Sequence, residues 1–177
     1  MSTTNLNKLL SAKYGHIAPP DSWMSHNGLR ETFTSDIETK LIEQFDKYEW
    51  ALVACFKVFN TNILAAATRM PGGCLMVVDD SYIKDETLAG YRLLGQAVGG
   101  CAVRKLGSPD SSPNMHHKFV VFGNGSAPLA VWDGSFNFTY NAGNSLENAS
   151  IDRDAYNAIR FTELWVGKLW ANAKEIL

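Results

Sequence analysis

Several things are scarce in this chain, and each scarcity narrows the reading. No apolar run reaches the roughly 18–20 residues needed to cross a bilayer, so no membrane-spanning helix and no stable membrane association are expected. The first ten residues have no basic start followed by an apolar stretch, so no secretory signal is expected. Only three cysteines occur, Cys55, Cys74 and Cys101, each inside or beside an apolar run. An odd count in strand-like contexts fits buried free thiols in a reducing compartment, and a cytoplasmic location follows as an expectation. An excess of positive charge is missing too: 16 Lys and Arg face 18 Asp and Glu, for a net charge of −2. Bulk attraction to a polyanion is therefore excluded, and any polyanion must be held by a local patch. There are four histidines and no cluster with the roughly four ligands that zinc requires, so neither a metal nor a cofactor is expected. Repeats and low-complexity segments are absent as well.

The 177 residues are 46% apolar and 19% charged, enough for one domain with a sizeable core. Residues 1–30 read as an N-terminal arm of unassigned role, because Ala18-Pro19-Pro20-Asp21 breaks any helix there. Residues 31–177 carry the regular patterning. Ser35-Asp36-Ile37-Glu38 fits a capping box, and Ile37, Leu41, Phe45 and Tyr48 follow at helical spacing. Apolar runs at 51–56, 74–79 and 101–106 read as buried strands. They alternate with helical patterns at 62–70 and 84–98, which end at Pro71-Gly72-Gly73 and Gly99-Gly100. The second half reads as strands at 115–122 and 127–133, a helix from about Phe136, a short strand at 147–151, and a helix from about Asp154 to the end. Ala158, Phe161, Trp165 and Leu169 form one apolar stripe of that last helix. The expected class is α/β, with a mixed, mostly parallel central sheet and helices on both faces.

The chemistry concentrates in Met115-His116-His117-Lys118-Phe119 and in Trp132-Asp133-Gly134-Ser135-Phe136-Asn137. Side chains alternate along a strand, so His116 and Lys118 share a face and His117 takes the other, where packing is its ordinary role. An imidazole, an ammonium and a Ser/Asn turn with backbone N–H groups suit an anion that is attacked, and phosphate leads the candidates. Singly, each of these residues has a plainer role: Lys118 as a solvated strand lysine, Ser135 and Asn137 as caps, Asp133 as a turn residue. Trp132, Phe136, Phe138 and Tyr140 could stack on bases or fill the core. Arg104 and Lys105 end a strand and are candidates for backbone-phosphate contacts.

His116, Lys118, Gly134, Ser135, Asn137 and Glu147 together resemble the His-x-Lys … Gly-Ser-x-Asn … Glu pattern of the phospholipase D superfamily, most of all its small single-motif nuclease members. The resemblance covers roughly residues 30–175, and Gly123 stands where the pattern has an aspartate. It implies a phospholipase D-like catalytic domain over 31–177 and a metal-independent hydrolysis of nucleic-acid phosphodiesters, with DNA the leading substrate. It also implies a phosphohistidine intermediate and a homodimer in which two copies of His116 meet at one site. In that arrangement Lys118 neutralises the phosphate, Asn137 donates to a phosphate oxygen, and Glu147 accepts from the second ring nitrogen of His116. Gly134 and Ser135 would line the substrate. The alternatives are a phospholipase D-type lipid phosphodiesterase and a catalytically silent nucleic-acid-binding module.

Overall fold

A computed structural model describes residues 30–83, 85–107 and 115–176. The expected N-terminal arm, up to residue 29, lies outside the described residues, as does Lys84. Among the described residues eight strands form one sheet: β1 (Arg30–Phe33), β2 (Trp50–Cys55), β3 (Gly73–Asp79), β4 (Cys101–Leu106), β5 (Lys118–Asn124), β6 (Ala127–Gly134), β7 (Ala149–Asp152) and β8 (Lys174–Glu175). Their order is β1-β7-β6-β5-β2-β3-β4-β8. Helices α1 (Ile37–Lys47), α2 (Thr61–Thr68) and α3 (Asp85–Leu94) pack on one face and α4 (Ala155–Leu164) on the other. The class is α/β with helices on both faces, as expected.

The balance of strand directions differs from the expectation of a mostly parallel sheet. Only β2–β3 and β3–β4 are parallel, and the other neighbouring pairs are antiparallel. Parallel neighbours need a long crossover, and α2 and α3 supply the two that exist. The β5–β6 connection is only two residues long, which permits only an antiparallel hairpin. β5 then inserts beside β2, running against it, with Cys55 opposite Lys118 and Trp50 opposite Gly123. The carboxyl ends of β2, β3 and β4 therefore share an edge with the start of β5. In open α/β sheets this is the edge that binds ligands.

Each strand of the central trio β5-β2-β3 is buried on both faces, so each reads as a continuous apolar run rather than an alternating one. α1 forms because Ile37, Leu41 and Phe45 recur on one side and are all buried. Its expected capping box does not form. Asp36 adopts a left-handed conformation with φ 53° and makes no side-chain cap. Glu38 instead accepts from Asn60 Nδ2 at 2.8 Å and Asn62 Nδ2 at 2.9 Å, drawn toward the start of α2. Asn60 caps α2 in turn, accepting from the N–H groups of Asn62 and Ile63.

Two other expectations are corrected. No α-helix starts at Phe136: the rings of Phe136 and Phe138 are buried, and after Thr139 only a 3₁₀ turn, Tyr140–Asn144, forms. The last helix also stops early, at Leu164, and passes through a π turn, Trp165–Leu169, and a 3₁₀ turn into β8. Trp165 donates its indole N–H to Val53 O at 2.9 Å, and Trp170 stacks on it with ring centroids 4.8 Å apart. Seating those rings turns the chain toward β4, whose Arg104 and Lys105 pair with Glu175 and Lys174.

Candidate active site

The edge shared by β2, β3 and β5 is built on buried anchors. Asp79 ends β3, is 1% exposed, and accepts from Met115 N–H at 2.7 Å and from Ser81 N–H at 3.0 Å. That bond to Met115 fixes the backbone one residue before His116. Phe56 N–H, just past β2, donates to His117 O at 2.9 Å. The ladder beyond β5 is thus held on both sides of His116, although the strand proper begins only at Lys118.

His116 is exposed and its ring packs on Phe56, with centroids 4.4 Å apart. Lys118 Nζ lies 3.2 Å from His116 Nδ1 and 3.4 Å from Nε2, and donates to His116 O at 3.1 Å. A lysine ammonium has donors only, so a ring nitrogen facing it acts as an acceptor. His116 and Lys118 do share one side, as alternation requires. His117 goes to the other side, where its ring meets Phe119 edge-on at 5.6 Å. Burial, then the nearby Lys118 and His116, hold His117 below its ordinary value.

Lys118 is also held below its ordinary value. Burial is the main cause, Lys57 adds to it, and the neighbouring Cys55 and Glu147 oppose it. Cys55 lies opposite Lys118 on β2 and is fully buried; burial pushes its thiol up to about 11, so it stays protonated at neutral pH.

The second half of the site lies on the segment between β6 and β7. Ser135 N–H donates to Asn148 O at 2.9 Å, and Ser135 Oγ accepts from Asn148 N–H at 3.0 Å and donates to Glu147 Oε2. The Ser135 N–H is therefore not a free donor. Among the described residues Glu147 makes its hydrogen bond to Ser135 and none to His116. Gly134 faces Ala149 across the ladder, and a Cβ there would lie 2.2 Å from Asn148 O. Its bareness serves this close backbone approach. Asn137 is half-buried, with its Oδ1 buried and without a partner. Its neighbour Phe138 donates N–H to Lys57 O at 3.0 Å and accepts from the N–H groups of Phe59 and Asn60 at 2.9 Å. The segments 56–60 and 137–139 are thereby zipped together.

The structure brings His116 and Lys118 into contact, joins Ser135 to Glu147, and sets Glu147 within electrostatic reach of Lys118. Arg104 and Lys105 are placed elsewhere, on β4. Arg104 stacks on Trp170 at 4.1 Å and donates to its carbonyl, and Lys105 pairs with Asp80 at 2.9 Å. Of the four aromatic candidates only Tyr140 is exposed. The sequence reading missed Phe56, Lys57 and Asp79. Asp79 alone carried a signal, as a carboxylate ending an apolar strand.

Gly123 lies at the opposite end of β5, about 17 Å from Lys118 at the usual strand rise. A Cβ there would meet the Trp50 ring at 2.1 Å and Ala127 O at 2.4 Å. Trp50 fills the space and donates its indole N–H to Gly125 O at 3.0 Å. The missing aspartate thus concerns strand packing far from the imidazole.

No family model matches the chain. An uncharacterized protein of Acanthamoeba polyphaga mimivirus is 22% identical over 186 residues, covering 82% of this chain and 64% of that protein. The chain thus spans less than two thirds of that relative. Among solved structures, Nuc from Salmonella typhimurium, a phospholipase D family member, superimposes with a TM-score of 0.71 at 19% identity, over 84% of this chain and 98% of Nuc. NucT from Helicobacter pylori does so with a TM-score of 0.64 at 15% identity, over 84% of this chain and 99% of NucT. The fold of this chain is that of the phospholipase D superfamily.

Proposed function

We propose that this chain is a metal-independent phosphodiesterase that cuts nucleic acid, DNA foremost, through a phosphohistidine at a site shared by two copies. The observation that carries the reading is the contact of His116 with Lys118 at the ligand-binding edge of this fold. A His116 ring nitrogen attacks phosphorus as the bond to the leaving oxygen breaks. His116 of the partner subunit gives that oxygen its proton. It then takes a proton from water, which attacks the phosphohistidine and frees the first imidazole. Among the described residues His116 is the one imidazole on this side of the sheet, and the two-histidine chemistry proposed here calls for a second copy.

Lys118 neutralises the phosphate, and Asn137, with Oδ1 turned inward, has Nδ2 left for a phosphate oxygen. Glu147 moderates the charge at Lys118. It reaches the imidazole only by exchanging its bond to Ser135 for one to His116. Arg104 and Lys105 would contact phosphates only by leaving Trp170 and Asp80. No step uses a metal, and among the described residues no three His, Cys, Asp or Glu side chains are grouped to hold one.

Plasmid cleavage in excess EDTA, with wild type beside His116→Ala, tests this reading. Wild type is expected to cut and to sediment as a dimer, while His116→Ala falls by at least about 10³-fold. Equal cutting by both proteins overturns it. The exposed Phe59, Tyr140 and Leu146 around the site are the one observation that favours lipid. Release of head group from phospholipid vesicles without DNA cleavage would choose that alternative.

A further inference from the structure

Phe56 and Lys57 belong to none of the motifs that mark the site, yet two site groups, His116 and Lys118, converge on the Phe56 ring. Phe56 is 8% exposed, and its ring carries the His116 imidazole at 4.4 Å. Lys118 Nζ lies 5.2 Å and Lys57 Nζ 5.4 Å from the centroid of that same ring. Both distances are in the range of cation–π attraction, which helps hold two like charges in one neighbourhood. Lys57 is not on a loose loop. Its carbonyl accepts from Phe138 N–H at 3.0 Å and from Cys55 Sγ at 3.3 Å, and Val58 bridges Phe138. Its backbone is therefore fixed between Asn137 and the His116 segment.

The local charge is unusual for a chain with net charge −2. Two ammonium groups share one ring, and their mutual repulsion registers at Lys118. The carboxylate that reaches Lys118 is Glu147, which is already bonded to Ser135. Two cations held on one ring suit two phosphates. Lys118 sits against the imidazole and serves the phosphate under attack.

Resting on the nuclease reading, we propose that Lys57 binds the phosphate flanking the scissile one, so that the site prefers a polynucleotide strand to an isolated phosphodiester. This adds a strand-positioning residue, Lys57, and a platform, Phe56, to the site.

The test is binding of a short single-stranded DNA oligonucleotide across a salt series, in the His116→Ala background, with Lys57, Lys57→Met or Lys57→Arg. Lys57→Met is expected to weaken binding about tenfold and to lower the slope of log K against log salt by about 0.7, one phosphate contact. Lys57→Arg should restore most of both. With His116 present, Lys57→Met should raise KM for the strand with kcat within about twofold, and lose less on bis(p-nitrophenyl) phosphate. An unchanged salt slope, or an equal fall in kcat on both substrates, overturns the proposal. Strand binding that depends on Lys57 without cleavage sinks the hydrolytic reading and keeps this one. No strand binding at low salt sinks this one, while hydrolysis of the small diester would keep the phosphodiesterase.

Discussion

Lys118 carries two conflicting demands. The proposed chemistry uses a cation beside His116, and partial burial disfavours the charged form there. Its folded value lies below the ordinary lysine value of about 10.4, chiefly through burial. The unfolded chain then binds more protons than the folded one as pH rises from the folded value to the ordinary one, so stability climbs across that alkaline window. Below it the charged side chain is a fixed liability. Lys118→Met should therefore raise Tm at neutral pH, with the gain fading as the pH approaches the ordinary value, while kcat falls by about 100- to 1,000-fold. Thermal melts from pH 7 to 11 check the sign. A variant that melts lower than wild type at pH 7 contradicts it. Residues of this kind are legible in sequence because His116 and Lys118 sit two apart in extended chain leading into one strand. Phe56 and Lys57 are not: they reach the site by register between β2 and β5, and no spacing along the chain encodes that.

Elements were legible where one periodicity dominates. The buried strands β2 and β3, strand β4 and helices α1 to α3 lie where apolar spacing puts them, although β4 buries only Val103 and is not the buried strand expected at 101–106. The misses share a cause, side chains whose tertiary partners outweigh local preference. The Glu38 carboxylate turns from its own helix start to Asn60 and Asn62; Phe136 and Phe138 turn inward where a helix was expected; Trp165 and Trp170 end α4 early. Strand β5 shows the same logic at Gly123. It pairs with Trp50, and an added side chain there meets both the indole and the Ala127 carbonyl. Gly123→Ala should cost at least about 2 kcal/mol, and Gly123→Asp more, since it also buries a carboxylate. Placing aspartate at position 123 would thus harm this chain unless the indole is removed too. Denaturant unfolding of Gly123→Ala with and without Trp50→Phe checks this, with partial recovery expected in the double variant. Unchanged stability of Gly123→Ala would show that the ring has room to yield.

At the scale of the whole molecule, the α/β class and the helices on both faces followed from alternation in the first half. The strand order did not. Placing β5 between β6 and β2 needs long-range pairing that local patterns do not report, and with it goes the balance of parallel and antiparallel neighbours. This insertion also makes the site, because it carries His116 to the carboxyl ends of β2 and β3. On the proposed reading His116 is the nucleophile, and hydrolysis runs in two steps. The most direct test is to trap the intermediate: wild type mixed with a radiolabelled oligonucleotide, quenched in alkali within the first turnover, and digested to locate the label. Label on the peptide containing His116, retained in His117→Ala and lost in His116→Ala, is the expected result. Cleavage with no label on the protein, or label that survives His116→Ala, would contradict covalent catalysis by His116.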